Sequence, residues 1–119
     1  MPSIGQMIGC VALGGFLSAC ASTPPTTEKV ASTSASIRAA QEVGAQSVPE
    51  ASYYLQLSLE ESEQGRNLIA KGDKERAASI LTRAQADAEL ALALAREDQM
   101  RHDAQMAIDN AQALSRSSQ

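Results

Sequence analysis

The sequence predicts an all-α fold: an antiparallel helical hairpin with a short helix before it and a long, coiled-coil-like helix at the C-terminal end. Small and apolar residues recur at helical spacing from about residue 33 onward. Pro49 and Gly72 fall where one periodic segment gives way to the next, and neither residue type occurs after Gly72. Aromatic residues make up only 3% of the 119 residues, which argues against a large, well-filled core.

Composition also limits the size and the partners of the chain. Hydrophobic residues make up 44% and charged residues 20%, and the length allows one small domain. The formal net charge is −4. We therefore expect no nucleic-acid partner, because such a partner requires a basic face.

Residues 1–19 have the features of a lipoprotein signal peptide. They carry no charged side chain, and their apolar run, residues 7–17, is too short to span a bilayer. The run ends in Leu17-Ser18-Ala19-Cys20, which resembles the lipobox of bacterial lipoproteins. The resemblance implies a diacylglyceryl group on the Cys20 sulfur and cleavage between Ala19 and Cys20. The alternatives are an ordinary signal peptide, cleaved after Ala19 or Ala21, and a short buried helix.

A lipobox would decide both the location and the thiol chemistry of the mature chain. Cys10 would leave with the signal peptide, so no disulfide could form within the mature protein. Acyl chains on Cys20 would anchor the protein to a membrane. Ala21 and Ser22 follow where an Asp would favour retention at the inner membrane, by analogy with such lipoproteins. We therefore expect a protein anchored by lipid to the outer membrane and facing the periplasm.

Residues 20–36, which begin with the lipidated Cys, are predicted to form a flexible tether. Ala, Ser, Thr and Pro dominate this segment, and they bury too little apolar surface to offset the cost of ordering. The helical domain is expected over residues 37–98, and its first short helix over residues 34–44.

The second helix should extend from about residue 49 to about residue 71. Ser47 and Glu50 have the spacing of a capping box, and a Pro in the first turn loses no hydrogen bond. Gly72 is the expected stop of this helix. Asp73 is the expected N-cap of a third helix that continues to about residue 114.

Alternating steps of four and three residues predict one buried seam on each of these two helices. On the second helix the seam residues are Ala51, Leu55, Ser58, Ser62, Gly65 and Ile69. On the third helix they are Ala77, Leu81, Ala84, Ala88, Ala91 and Ala95. Because most of these side chains are small, the two backbones should approach closely. Either Tyr53 or Tyr54 is expected to pack against the core.

Beyond Arg96 the apolar pattern changes phase, and residues 99–119 are predicted to be an extended C-terminal helix and tail. The apolar residues of this segment form a line that we call the partner stripe: Met100, Ala104, Ala107, Ala111 and Leu114. The line continues Ala86, Leu90 and Ala93 rather than the seam. The second helix is too short to accompany it. We expect this segment either to fray or to contact a second copy or another envelope protein.

The sequence offers no convincing catalytic, cofactor or metal site. His102 and Asp98 could form only half of a metal site, and a solvated pair one helical turn apart is the simpler interpretation. Glu60, Glu61 and Glu63 cluster on the second helix, but such charge runs usually mark a solvated face. We therefore expect a protein that is not an enzyme and needs neither a cofactor nor a metal.

Several short segments of the helical domain form a recognisable series: Gly44-Ala45, Pro49-Glu50-Ala51, Ala70-Lys71-Gly72-Asp73, Arg76-Ala77, Ala86-Asp87-Ala88-Glu89-Leu90-Ala91 and Ala95-Arg96. Through these segments, residues 36–98 resemble an uncharacterised bacterial lipoprotein family that is defined by a domain of unknown function, DUF4398. The resemblance implies a location in the cell envelope and a helical hairpin, and it supplies no catalytic residues.

These patterns predict an outer-membrane lipoprotein that exposes a periplasmic helical hairpin. Its role would be structural or scaffolding, through helix–helix contacts with itself or with an envelope partner. The alternative is a periplasmic accessory module that captures a client peptide or lipid in the groove of the hairpin.

Overall fold

The structure, a computed structural model, describes residues 26–118 of the chain. Three α-helices make up most of this part: α1 at Thr26–Glu42, α2 at Pro49–Ala70 and α3 at Lys74–Ser117. A short 3-10 helix, Ala45–Ser47, lies between α1 and α2. The predicted all-α fold is confirmed, with α2 and α3 as the hairpin and α3 as a long C-terminal helix of 44 residues.

α1 begins earlier than the predicted first helix, and the prediction of a flexible tether is wrong for residues 26–36. Thr33 is fully buried, and its Oγ1 donates a hydrogen bond of 3.0 Å to the backbone carbonyl of Leu81 in α3. The Oγ of Ser32 donates to Oε1 of Gln85 at 3.1 Å. These contacts with α3 order a segment that its composition alone would leave flexible. Residues 20–25, the rest of the predicted tether, lie outside the described residues.

Two glycines and one aspartate determine where the helices end and begin. Gly44 and Gly72 have φ angles of 81° and 82°, a conformation that favours glycine, and each lies just beyond the end of a helix. Asp73 caps α3, because its Oδ1 accepts a hydrogen bond of 3.3 Å from the backbone N–H of Arg76. The predicted stop at Gly72 and the predicted cap at Asp73 are confirmed.

The capping box predicted at the start of α2 is wrong. Ser47 is the last residue of the 3-10 helix, so Val48 becomes the N-cap, and no side chain caps this end. Pro49 does occupy the first turn of α2, as predicted.

α1 lies against both helices of the hairpin. Thr26 and Val30, at the start of α1, line a cavity with Ile69, near the end of α2, so α1 and α2 are antiparallel. Midway along α1, Ser34 Oγ accepts a hydrogen bond of 3.1 Å from Nη2 of Arg66. Because α3 is also antiparallel to α2, α1 and α3 run in the same direction.

Tyr54 packs against the main buried cluster, whereas Tyr53 is 63% exposed. The cluster consists of Ile37, Ala40, Ala45, Ala51, Leu55, Ala88, Ala91 and Ala95.

The predicted seam of α3 is confirmed, since all six of its residues are buried. On α2 five of the six predicted residues are buried, and Leu68 replaces Ile69 in the last turn. Ile69 is half-buried and lines an open cavity beside Thr26 and Val30 of α1.

Two contacts show how closely α2 and α3 approach. The buried Ser58 Oγ donates a hydrogen bond of 2.6 Å to the backbone carbonyl of Ala84. A β-carbon placed on Gly65 would lie 2.7 Å from both Cγ and Cδ2 of Leu81, which is fully buried. Gly65 thus makes the space that the Leu81 side chain fills, and small residues bring the two backbones together, as the sequence predicts.

Candidate interaction surface

α3 extends beyond the three-helix bundle. Ala95 is its last buried residue, and every residue from 96 to 118 is exposed. About half of this 44-residue helix therefore buries no residue against α1 or α2. We call residues 97–117 the free half of α3.

The free half carries the partner stripe on one face. All five stripe residues are exposed, including the two largest, Met100 at 64% and Leu114 at 69%. At 100° per residue, the stripe lies roughly 140° around the helix from the buried seam. It therefore faces away from α1 and α2.

The same face continues onto the half of α3 that belongs to the bundle. Ala86, Leu90 and Ala93 are exposed, as the change of phase predicts, and Leu90 is 40% exposed. Leu92 and Leu94 differ, because they are half-buried against the main core. An apolar face thus extends along α3 from residue 86 to residue 114, interrupted on its central line by Glu97.

Both edges of this face carry polar or charged residues. Arg96 and Asp103 lie on one edge, seven residues apart, and neither forms an ion pair within residues 26–118. Arg101 and Ile108 lie on the other edge, where Ile108 is 51% exposed. Nη2 of Arg101 contacts Oε1 of Glu97 at 2.6 Å. The face has the composition of a helix–helix interface, with a mainly apolar centre and charged residues on both edges.

The structure gives His102 and Asp98 no role in a site. Both side chains are exposed on the free half of α3 and line a shallow surface depression with Arg101 and Gln105. Within residues 26–118, no three His, Cys, Asp or Glu side chains lie close enough together to hold a metal ion.

The prediction that the acidic cluster of α2 lies on a solvated face is wrong for Glu61. It is 7% exposed rather than solvated, because it lies at the interface of α2 and α3. Arg83 donates to Oε1 through Nε at 2.8 Å and contacts the same oxygen through Nη2 at 2.6 Å. Oε2 is buried and has no hydrogen-bond partner among the described residues. Charge clustering alone could not separate Glu61 from its exposed neighbours Glu60 and Glu63.

The environment of Glu61 changes its proton affinity. Burial raises the pKa of Glu61 above its ordinary value of 4.5, Arg83 opposes the rise, and the nearby carboxylate of Asp87 adds to it. The ion pair is therefore only half buried, because Glu61 lies within the helical interface whereas the side chain of Arg83 is 67% exposed.

Two cavities border α1. One of about 260 Å³ lies between α1 and α2 and is lined in part by Ile37, Leu59 and Arg66. The other, of about 590 Å³, lies at the end of the bundle where α1 begins and is lined by Thr26, Thr27, Val30, Ile69 and Lys74. α1 itself lies against both helices of the hairpin and covers part of the groove in which a client was predicted to bind.

The predicted lipidation and cleavage residues, Cys20 and Ala19, lie outside the described residues. Within residues 26–118, none of the helices combines the length and the hydrophobicity that crossing a bilayer requires.

Comparisons with protein-family models, with curated proteins and with solved structures find no match to this chain. The resemblance to the DUF4398 family therefore remains a prediction from the sequence.

Proposed function

We propose that the protein is an outer-membrane lipoprotein whose helical bundle has a scaffolding role in the periplasm, through helix–helix contacts made by the free half of α3. The observation that carries this proposal is the exposed apolar face of α3 between residues 86 and 114. A face of this kind on a helix without an intramolecular partner is typical of a surface that binds another helix.

The anchor is supported by the lipobox and by the position of α1. Only the five residues 21–25 separate Cys20 from the start of α1 at Thr26. Fully extended, such a connection spans about 20 Å. A lipid on Cys20 would therefore hold the bundle close to the membrane, at the end where α1 begins.

Metabolic labelling with a tagged fatty acid tests the anchor. We expect the native chain to become labelled and a Cys20→Ala variant to stay unlabelled, because the thiol is the site of acylation. Absence of label on the native chain would refute the anchor and the location that depends on it.

Photocrosslinking in intact cells tests the scaffolding role. A photoreactive residue at Ala107, on the partner stripe, should give one dominant adduct, whereas the same residue at Asp109, on the opposite face, should give none. Equal labelling at both positions, or no adduct at Ala107, would contradict contact through the stripe.

A second candidate function, capture of a lipid, is favoured by the cavity at the start of α1. Val30 and Ile69 give its wall an apolar part, and Lys74 places a cation at its rim. A photoreactive residue at Ile69 should then crosslink to lipid, and protein adducts alone at that position would argue against this role.

A further inference from the structure

We propose that the apolar face of α3 between residues 86 and 114 packs against the same face of a second copy of this chain, with the two helices antiparallel, so that the partner stripe of each chain lies against residues 86–97 of the other. The pairing rests on the scaffolding role proposed above, and it names the partner. Three features of α3 favour it: the exposure of the free half, the charges on the two edges of the apolar face, and the order of large and small residues along that face.

The free half of α3 needs a partner to be a stable helix. Isolated helices of about this length are marginal in water, and most helical stability in proteins comes from packing an apolar face. Within residues 26–118 that packing is absent here, because the stripe is exposed along its whole length. Three large apolar side chains of the free half, Met100, Ile108 and Leu114, are at least half exposed.

Charge complementarity selects a second copy and its direction. In a pair of helices, the residues that flank the apolar face of one helix lie beside those that flank the face of the other. Which edge of one face meets which edge of the other depends on whether the helices are parallel or antiparallel. Antiparallel helices bring like edges together, so Arg96 of each chain can meet Asp103 of the other. The contact occurs twice by symmetry and pairs two side chains that have no intramolecular ion-pair partner among the described residues.

A parallel pairing is disfavoured by the same residues. It brings unlike edges together and places Arg96 of one chain beside Arg101 of the other. It also aligns Glu97, which lies in line with the stripe between Ala93 and Met100, with its own copy. Both contacts bring like charges together and are repulsive, and both disappear when one helix is reversed.

The order of residue sizes fits the antiparallel register that joins Arg96 to Asp103. In that register Leu90 of one chain lies opposite Ala107 of the other, so a large residue meets a small one. Ala93 lies opposite Ala104, which allows the backbones to approach as α2 and α3 do in the bundle. At these positions the apolar face of α3 is thus complementary to itself.

A charge substitution distinguishes the two directions by the sign of its effect. For the purified lipoprotein in density-matched detergent, sedimentation equilibrium should show that Arg96→Asp weakens the dimer about tenfold, because two exposed ion pairs become repulsive contacts. The variant Arg96→Asp/Asp103→Arg should recover the native affinity. Arg116→Asp is the matched control, because it changes the charge of α3 by the same amount at a residue that lies away from the stripe.

Other results would overturn the proposal in distinguishable ways. A dimer that becomes tighter in Arg96→Asp would show a parallel pairing. A chain that stays monomeric at all concentrations, while Ala107 still crosslinks to a different protein in cells, would refute self-association and leave the scaffolding role intact. A monomer without any adduct at Ala107 would refute both.

Discussion

Glu61 places a carboxylate at the interface of α2 and α3, where Arg83 contacts only one of its two oxygens. The buried oxygen without a hydrogen bond makes the ionised form costly, and the raised pKa of Glu61 expresses that cost. The folded chain therefore binds this proton more tightly than the unfolded chain does. By linkage, the contribution of Glu61 to stability is greatest below pH 4.5 and falls as the pH rises from 4.5 through the folded pKa.

The substitution Glu61→Gln removes this titration while it preserves the size of the side chain. We expect the free energy of unfolding of the native chain, relative to Glu61→Gln, to decrease between pH 4 and pH 7. Chemical denaturation at several pH values measures the difference, and exposed Glu63→Gln is the control. A relative stability that instead rises with pH would mean that the ion pair with Arg83 outweighs the desolvation of Glu61.

At the scale of single residues, sequence periodicity predicted the alanines of α3 well and the buried charge not at all. Ala77, Ala84, Ala88 and the other seam residues repeat at helical spacing, and burial follows from that repeat. Glu61 has the same local sequence properties as Glu60. What separates the two is the position of Arg83 on another helix, a long-range contact that spacing does not contain.

At the scale of the helices, the interface between α2 and α3 depends on one close contact. Gly65 is the only glycine within α2, and Leu81 occupies the space where its side chain would be. Glycine at this position lowers the helix propensity of α2 relative to a larger residue, but it allows the backbones of α2 and α3 to approach closely.

The substitution Gly65→Ala should destabilise the chain despite the better helix propensity of Ala. Overpacking costs about 1–3 kcal/mol and the propensity returns about 1 kcal/mol, so we expect a net loss of about 1 kcal/mol in chemical denaturation. In a Leu81→Ala background the same change should be stabilising, because the new methyl group then has room. Stabilisation by Gly65→Ala in the native background would show that Leu81 moves aside at little cost.

The start of α1 shows why part of the fold could not be predicted from the sequence. The segment 26–36 has the composition of a tether, yet Thr33 is buried and hydrogen-bonds to a carbonyl of α3. A hydroxyl at the interface between two helices looks the same in a sequence as a hydroxyl in a linker. The boundaries at Gly72 and Asp73 were predictable because their causes are local.

At the scale of the whole molecule, α3 combines two environments in one helix. Its first half is held by α1 and α2, whereas every residue of its free half is exposed within the described chain. Stability should therefore differ between the two halves and, in the free half, should depend on association.

Hydrogen exchange at different protein concentrations measures this difference. Backbone amides of residues 77–95 should stay protected on dilution, while those of residues 100–114 should lose protection as dimers dissociate. Ala107→Glu, on the stripe, should remove the protection of the backbone amides of the free half at every concentration, and Asp109→Glu serves as the control. Uniform protection along α3 at the lowest concentrations would contradict the expected dependence on a partner.

The direction of α1 has a consequence for how a paired molecule would sit on a bilayer. The chain enters α1 at the same end of the bundle at which α3 starts, because these two helices run in the same direction. In the proposed pair the starts of the two α1 helices would lie at opposite ends of the rod formed by the two α3 helices, about 75 Å apart. With both fatty-acyl groups embedded in a single leaflet, the rod would have to recline on the membrane surface, and it could not stand upright like a post.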